Sequence, residues 1–152
     1  MTPVRPMRLP GRWRYGFALD YHTVSSTYLG DDEYGHSMFD TKRSDLGELL
    51  YRLKYRSDAS VLDEIVQVAA QFYRSWNPGA TVILPVPPSR SSRPQQPVSM
   101  IAAALGEQLS IAVEQNAITR TKEVPELTAT LYDQGGVVDV YALAVTRTRS
   151  RS

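Results

Sequence analysis

The residues best suited to chemistry lie in the run PPSRSSRPQQP, Pro87 to Pro97, where the hydroxyls of Ser89, Ser91 and Ser92 stand among the guanidinia of Arg90 and Arg93. A guanidinium presents a planar fork of N–H donors that matches phosphate oxygens, and hydroxyls add donors of adjustable direction. The run leads into a helical pattern, so the N-terminus of that helix would add its free N–H groups and dipole to the same anion. A second basic run, TRTKEVPEL from Thr119 to Leu127, supplies Arg120 and Lys122. In open α/β sheets, loops that leave the carboxyl ends of neighbouring strands converge on one ligand, which would set Arg120 and Lys122 across a cleft from Arg90 and Arg93. A solvated Ser/Arg/Pro loop weighs equally on composition alone.

Other residue sets organise less chemistry. Asp31, Asp32 and Glu33 with His36 carry metal-ligating atoms, but they lack the spacing of a calcium loop and read as a solvated turn. His22 and His36 stand apart from any nucleophile or second ligand, as satisfied or exposed histidines do. The chain has no cysteine, which excludes disulfides, thiolate metal sites and cysteine nucleophiles. It also has no glycine-rich phosphate loop of the P-loop or dinucleotide type.

The elements that must position the two basic runs follow from hydrophobic spacing. Ala80 to Val86 is apolar on both faces between Pro-Gly and Pro-Pro, as a buried strand is. Val98 to Leu109 has the spacing of a helix, and Ile111 to Val113 with Ala117 to Thr119 reads as strand or hairpin. Upstream, alternation over Tyr15 to Tyr21 and β-formers over Val24 to Leu29 predict a hairpin or two sequential strands. Ser44 is an N-cap for a helix whose Leu46, Leu49, Leu50 and Leu53 share one face. A second helix starts near Asp58 and stops at Asn77-Pro78-Gly79. A last helix, Glu126 to Gln134, precedes a final strand in VVDVYALAV. Strands alternating with helices predict a mostly parallel sheet with helices on its faces.

At 152 residues and 42% hydrophobic content the chain is long enough for one domain with a core. The expected organisation is an extended basic arm over 1–14, one domain over 15–146 and a basic tail over 147–152. A formal net charge of +1 makes any basic function local rather than global. Trp13 and Tyr15 could stack on nucleic acid from such an arm, although basic termini are more often only solvated. No apolar stretch has signal-peptide or membrane-spanning length, so the expected setting is cytoplasmic, with no membrane partner.

Taken in order, LLYRLKYRSD, VILPVPPSRSSRPQQPV, AAALGEQL and ITRTKEVPEL resemble segments of the ComF-type phosphoribosyltransferase family, which is amidophosphoribosyltransferase-like. The resemblance covers most of Gly16 to Leu127 and resumes in LYDQGGVVDVYALAVTRT. It implies a reduced type I phosphoribosyltransferase-like fold, a mostly parallel sheet flanked by helices with an N-terminal β-hairpin. It implies phosphoribosyl pyrophosphate held with Mg²⁺ as substrate, Ser89, Arg90 and Arg93 as the pyrophosphate loop, and Arg120 and Lys122 as the flap that closes on it.

The chain departs from the family pattern between the flap and the last helix. There the family carries a further buried strand, an acidic pair for the ribose hydroxyls and a small-residue loop for the 5′-phosphate, whereas Leu127 here runs directly into TATLYDQGG. The zinc-binding cysteines of some relatives are absent too. The expectation is a catalytically impaired phosphoribosyltransferase relative that keeps a pyrophosphate or phosphate loop, needing Mg²⁺ only when phosphoribosyl pyrophosphate is bound. Its open strand edges would be covered by a second copy or a partner protein. The alternatives are an active transferase whose missing acids come from elsewhere, and an accessory module that binds DNA or protein.

Overall fold

The structure is a computed structural model that describes residues 2–86, 96–116, 137 and 139–148. Its elements are β1 (Met7–Arg8), β2 (Tyr15–Tyr21), β3 (Thr23–Asp31), β4 (Ser37–Arg43), α1 (Asp45–Tyr55), a 3₁₀ turn (Ala59–Val61), α2 (Leu62–Trp76), β5 (Val82–Ile83), α3 (Pro97–Leu109), β6 (Ala112–Val113) and β7 (Tyr141–Arg147).

The helices form for local reasons. The Ser44 hydroxyl accepts from the Gly47 N–H at 3.0 Å and donates to the Tyr21 carbonyl at 2.5 Å, so the cap of α1 also fastens it to the end of β2. Asp45 and Glu48 in the first turn and Arg52 and Lys54 in the last complement the helix dipole. A Cβ on Gly47 would run into the His22 carbonyl oxygen, so glycine is what lets this first turn lie against the backbone after β2. Asp58 accepts from the Ser60 N–H and from the Arg52 guanidinium, joining α1 to the 3₁₀ turn that opens α2. Asn77, left-handed at φ 49°, ends α2.

The core lies between these helices and β2. Leu19, Leu46, Leu53 and Ile65 are its largest fully buried side chains, with Val66, Val68, Ala69 and Ala70 of α2 and Ile101 and Leu105 of α3 around them. Ala69 and Ala70 keep α2 narrow where α3 packs on it. Leu49 and Leu50 flank this cluster half-buried. Beside it, Phe17 meets the edges of Phe72 and Trp76 at 5.2 and 5.0 Å, and Trp76 meets Tyr141 at 5.7 Å.

The strands overturn the predicted fold. The described strands form three small sheets, β1-β2-β7, β3-β4 and β5-β6, in place of one mostly parallel sheet flanked by helices in the manner of a reduced type I phosphoribosyltransferase. The protein is a small mixed α/β protein in which antiparallel ladders join β1 to β2 and β3 to β4, and among the described residues parallel pairing is confined to β2–β7 and β5–β6.

Two physical causes account for the difference. Between Gly16 and Asp20, β2 is buried over most of its length, and it finds its parallel partner in the last strand, with Tyr15 opposite Tyr141 and Tyr21 opposite Arg147. The sequence TVSSTYLGD mixes hydroxyl residues with only Val24, Tyr28 and Leu29 as large apolar ones and is exposed over most of its length, so β3 leaves the core and pairs with β4 instead of β2. The expected N-terminal hairpin is therefore displaced by one strand. In the buried strand expected over Ala80 to Val86, only Val82–Ile83 pair. Pro85 has no N–H to give a ladder, and the pairing stops before it.

Candidate functional site

The two basic runs follow β5 and β6 in the chain, and these strands form a parallel pair. Val82 lies opposite Ala112 and Ile83 opposite Val113, and the Glu114 N–H continues the ladder to the Ile83 carbonyl at 3.0 Å. Both strands thus end at the same edge. Ser89, Arg90 and Arg93, with Ser91 and Ser92, follow β5 in the chain, and Arg120 and Lys122 follow β6; all lie outside the described residues, as do the predicted helix Glu126 to Gln134 and the strand Ala117 to Thr119.

The described residues around that edge are ordered toward it by α3. Gln96, with extended backbone, is the N-cap and offers no side-chain bond to the helix, while Pro97 fills the first helical position with its fixed φ. The Gln115 side-chain amide donates to the Ser99 carbonyl at 3.2 Å, tying the residues after β6 to the first turn of α3. At the other end, a Cβ on Gly106 would overlap Val113 Cγ2 and come within 2.7 Å of the Ile111 carbonyl oxygen, so α3 lies hard against β6. One edge therefore gathers the exits of β5 and β6 and the N-terminal turn of α3. Glu114 brings a carboxylate to it, so an anion held there needs the cations of the adjoining runs.

Sequence reasoning named the arginines and lysine but missed Glu114, Gln115 and Ser99. The signal that finds Gln115 is positional: it is the first amide side chain after an apolar strand that pairs with the strand before α3.

A cleft of about 520 Å³ is lined by Arg8, Arg14, Tyr15, Phe17, Trp76, Asn77, Pro78 and Tyr141. Its cations are engaged within the chain: Arg14 pairs with Asp139 at 3.0 Å, and Arg8 lies 5.2 Å from the centre of the Tyr15 ring. Trp13 is not presented for stacking either. Its ring covers Gly11 and Gly16, and its indole N–H donates to the Leu9 carbonyl at 2.9 Å.

A polar junction closes the carboxyl ends of β2 and β7. His22 donates its backbone N–H to Arg147 at 2.8 Å, accepts from Ser44 N–H at 3.1 Å, and sets Nδ1 3.3 Å from the Thr146 hydroxyl. Burial first, then the nearby charges of Arg43 and Lys54, push the His22 pKa below its ordinary value. Asp20, buried beside it, accepts from the Tyr21 N–H at 2.7 Å. His22 and Ser44 thus join the ends of β2 and β7 to the cap of α1, while the Asp20 bond stays within β2.

The acidic turn is built in the same spirit. Asp32 accepts from the N–H groups of Tyr34 and His36, and Asp31 accepts from the hydroxyls of Tyr28 and Ser37. Their carboxylates shape the turn between β3 and β4. Among the described residues no group of three His, Asp or Glu side chains is placed to hold a metal ion, and no helix is long and apolar enough to cross a membrane.

No protein-family model matches the chain, and comparison with curated proteins and with solved structures returns no match.

Proposed function

We propose that the protein binds pyrophosphate, or the pyrophosphate end of phosphoribosyl pyrophosphate, with Ser89, Arg90 and Arg93 as the cradle and Arg120 and Lys122 as the flap. The observation that supports this reading is the parallel pairing of β5 with β6, the two strands that precede the basic runs in the chain, with the N-terminal turn of α3 tied to the residues after β6. Guanidinia and hydroxyls, the residue types of the two runs, suit a charged, multidentate phosphate. Catalysis of phosphoribosyl transfer is impaired in this reading, because the sequence offers no acidic pair or small-residue loop for the ribose and 5′-phosphate. The described residues do not fit a protein-built Mg²⁺ site either, and Mg²⁺ would enter only as the counter-ion of the bound diphosphate. The proposed setting is the cytoplasm, with self-association covering open strand edges.

Thermal unfolding with pyrophosphate, and with phosphoribosyl pyrophosphate and Mg²⁺, tests the proposal. Ligand at about a hundred times its dissociation constant stabilises by roughly 2.7 kcal/mol, a rise in midpoint of roughly 5–10 °C for a domain of this size. An equal rise with both ligands, lost in the Arg90→Ala/Arg93→Ala variant, is expected. A rise with phosphoribosyl pyrophosphate well beyond that with pyrophosphate would establish a ribose site and an active transferase in place of the impaired one. No rise with either ligand overturns the anion site.

A further inference from the structure

The β3–β4 ribbon stands outside the core and exposes several large apolar side chains. Tyr28 is 54% exposed, Leu29 62%, Tyr34 77% and Phe39 55%, and Val24 and Met38 are exposed as well. The Tyr28 and Phe39 rings pair across the strands at 5.6 Å, with the Ser26 and Thr41 hydroxyls 3.2 Å apart beside them. An isolated two-stranded hairpin is marginally stable in water, and exposed apolar side chains on a free strand edge mark a surface that pairs with another chain.

The two edges of the ribbon differ. β3 carries an extra residue at Val24 and again at Leu29 relative to its partner, and Gly30 has φ 106°, so its outer edge is bent away from regular pairing. β4 runs without interruption from Ser37 to Arg43 and is exposed from Ser37 to Lys42. Among the described residues no strand pairs with its outer edge.

Charge selects the occupant of that edge. The ribbon from 23 to 43 holds four carboxylates, Asp31, Asp32, Glu33 and Asp40, against Lys42 and Arg43, which disfavours nucleic acid and anionic lipid. A second copy, in contrast, complements itself. In a two-fold antiparallel pairing a residue of β4 must lie opposite its own counterpart. Centring on Asp40 or Lys42 sets like charges face to face, whereas centring on Thr41 sets Asp40 opposite Lys42 twice. Asp40 and Lys42 make no ion pair or side-chain hydrogen bond among the described residues.

We propose that two copies of this chain pair antiparallel through the outer edge of β4, centred on Thr41, joining the ribbons into one four-stranded sheet held in register by Asp40 and Lys42. This inference is independent of anion binding, since the ribbon and the β5–β6 edge share no element.

Light scattering and sedimentation at micromolar concentration test it. The full chain is expected to run as a dimer, and Asp40→Lys and Lys42→Asp to raise the dimer dissociation constant about tenfold or more each, because every opposite-charge pair becomes a like-charge pair. The charge-swapped Asp40→Lys/Lys42→Asp double variant is expected to regain the dimer, which separates loss of register from loss of folding. A monomeric full chain, a dimer indifferent to either reversal, or a double variant no tighter than the singles overturns the proposal.

Discussion

His22 sits where two strand ends and a helix cap meet, and its protonation tests whether that junction matters. Its pKa is pushed down by burial and by the charges of Arg43 and Lys54, while Glu48 opposes them. The unfolded chain therefore takes up this proton at a higher pH than the folded one. Stability is full above the ordinary histidine value of 6.5, and it declines as pH falls from there through the lower folded value, below which this contribution is gone. The expected outcome is that acidification from about pH 7.5 to about pH 5.5 lowers the urea midpoint of the wild type more than that of His22→Gln, which has nothing to titrate there. Equal losses in the two proteins would place the acid sensitivity elsewhere. The candidate role of His22 is thus architectural, and its sequence neighbourhood, without a nucleophile or second ligand, already pointed that way.

At the scale of elements, the helices were readable because their signals are local. Ser44 caps α1, leucines at spacings of three and four face the core, and Asn77 with Gly79 stops α2. Strand partners are not local, and there the sequence misleads: the alternation in Tyr15 to Tyr21 announces a strand without saying that its parallel neighbour lies more than a hundred residues away in β7. β4 escaped notice because SMFDTKR alternates only weakly and all but its last residue is exposed. The candidate site was read from residue types in two basic runs that lie outside the described residues, and the structure adds the β5–β6 pairing and the Gln115–Ser99 tie among the described residues next to them in the chain. The seat of α3 on β6 controls that geometry, and Gly106 controls the seat. Gly106→Ala must push Val113 and the backbone at Ile111 aside, and is expected to destabilise by roughly 1–3 kcal/mol, as overpacking a close contact does. It should also shrink the midpoint rise produced by pyrophosphate, because the exits of β5 and β6 move apart. A variant that loses stability yet keeps the full rise would show that the anion site does not depend on this seat.

For the molecule as a whole, the decisive contact joins the two ends of the chain. β7 pairs with β2 along its length, Arg14 N–H donates to the Val140 carbonyl at 2.8 Å, and the Arg147 carbonyl accepts from His22 at 2.8 Å, so both ends of the parallel ladder are clamped. Leu143 and Val145 pack against the same cluster that α1, α2 and α3 build. Closing so long a loop is entropically unfavourable until the contacts it permits are made, so the ladder and the helical core must form together rather than in sequence. Removing residues 140–152 takes away β7, opens the edge of β2 along Tyr15–Tyr21 and strips Leu143 and Val145 from the core cluster. The shortened chain is expected to lose its single cooperative thermal transition and to aggregate, as followed by circular dichroism and light scattering, while the helical signal persists only in part. If instead it melts cooperatively near the temperature of the full chain, the three helices hold the core by themselves. β2–β7 would then be an attachment to the fold and not its closure, and the coupling between the paired strands and the helical core would fall with it.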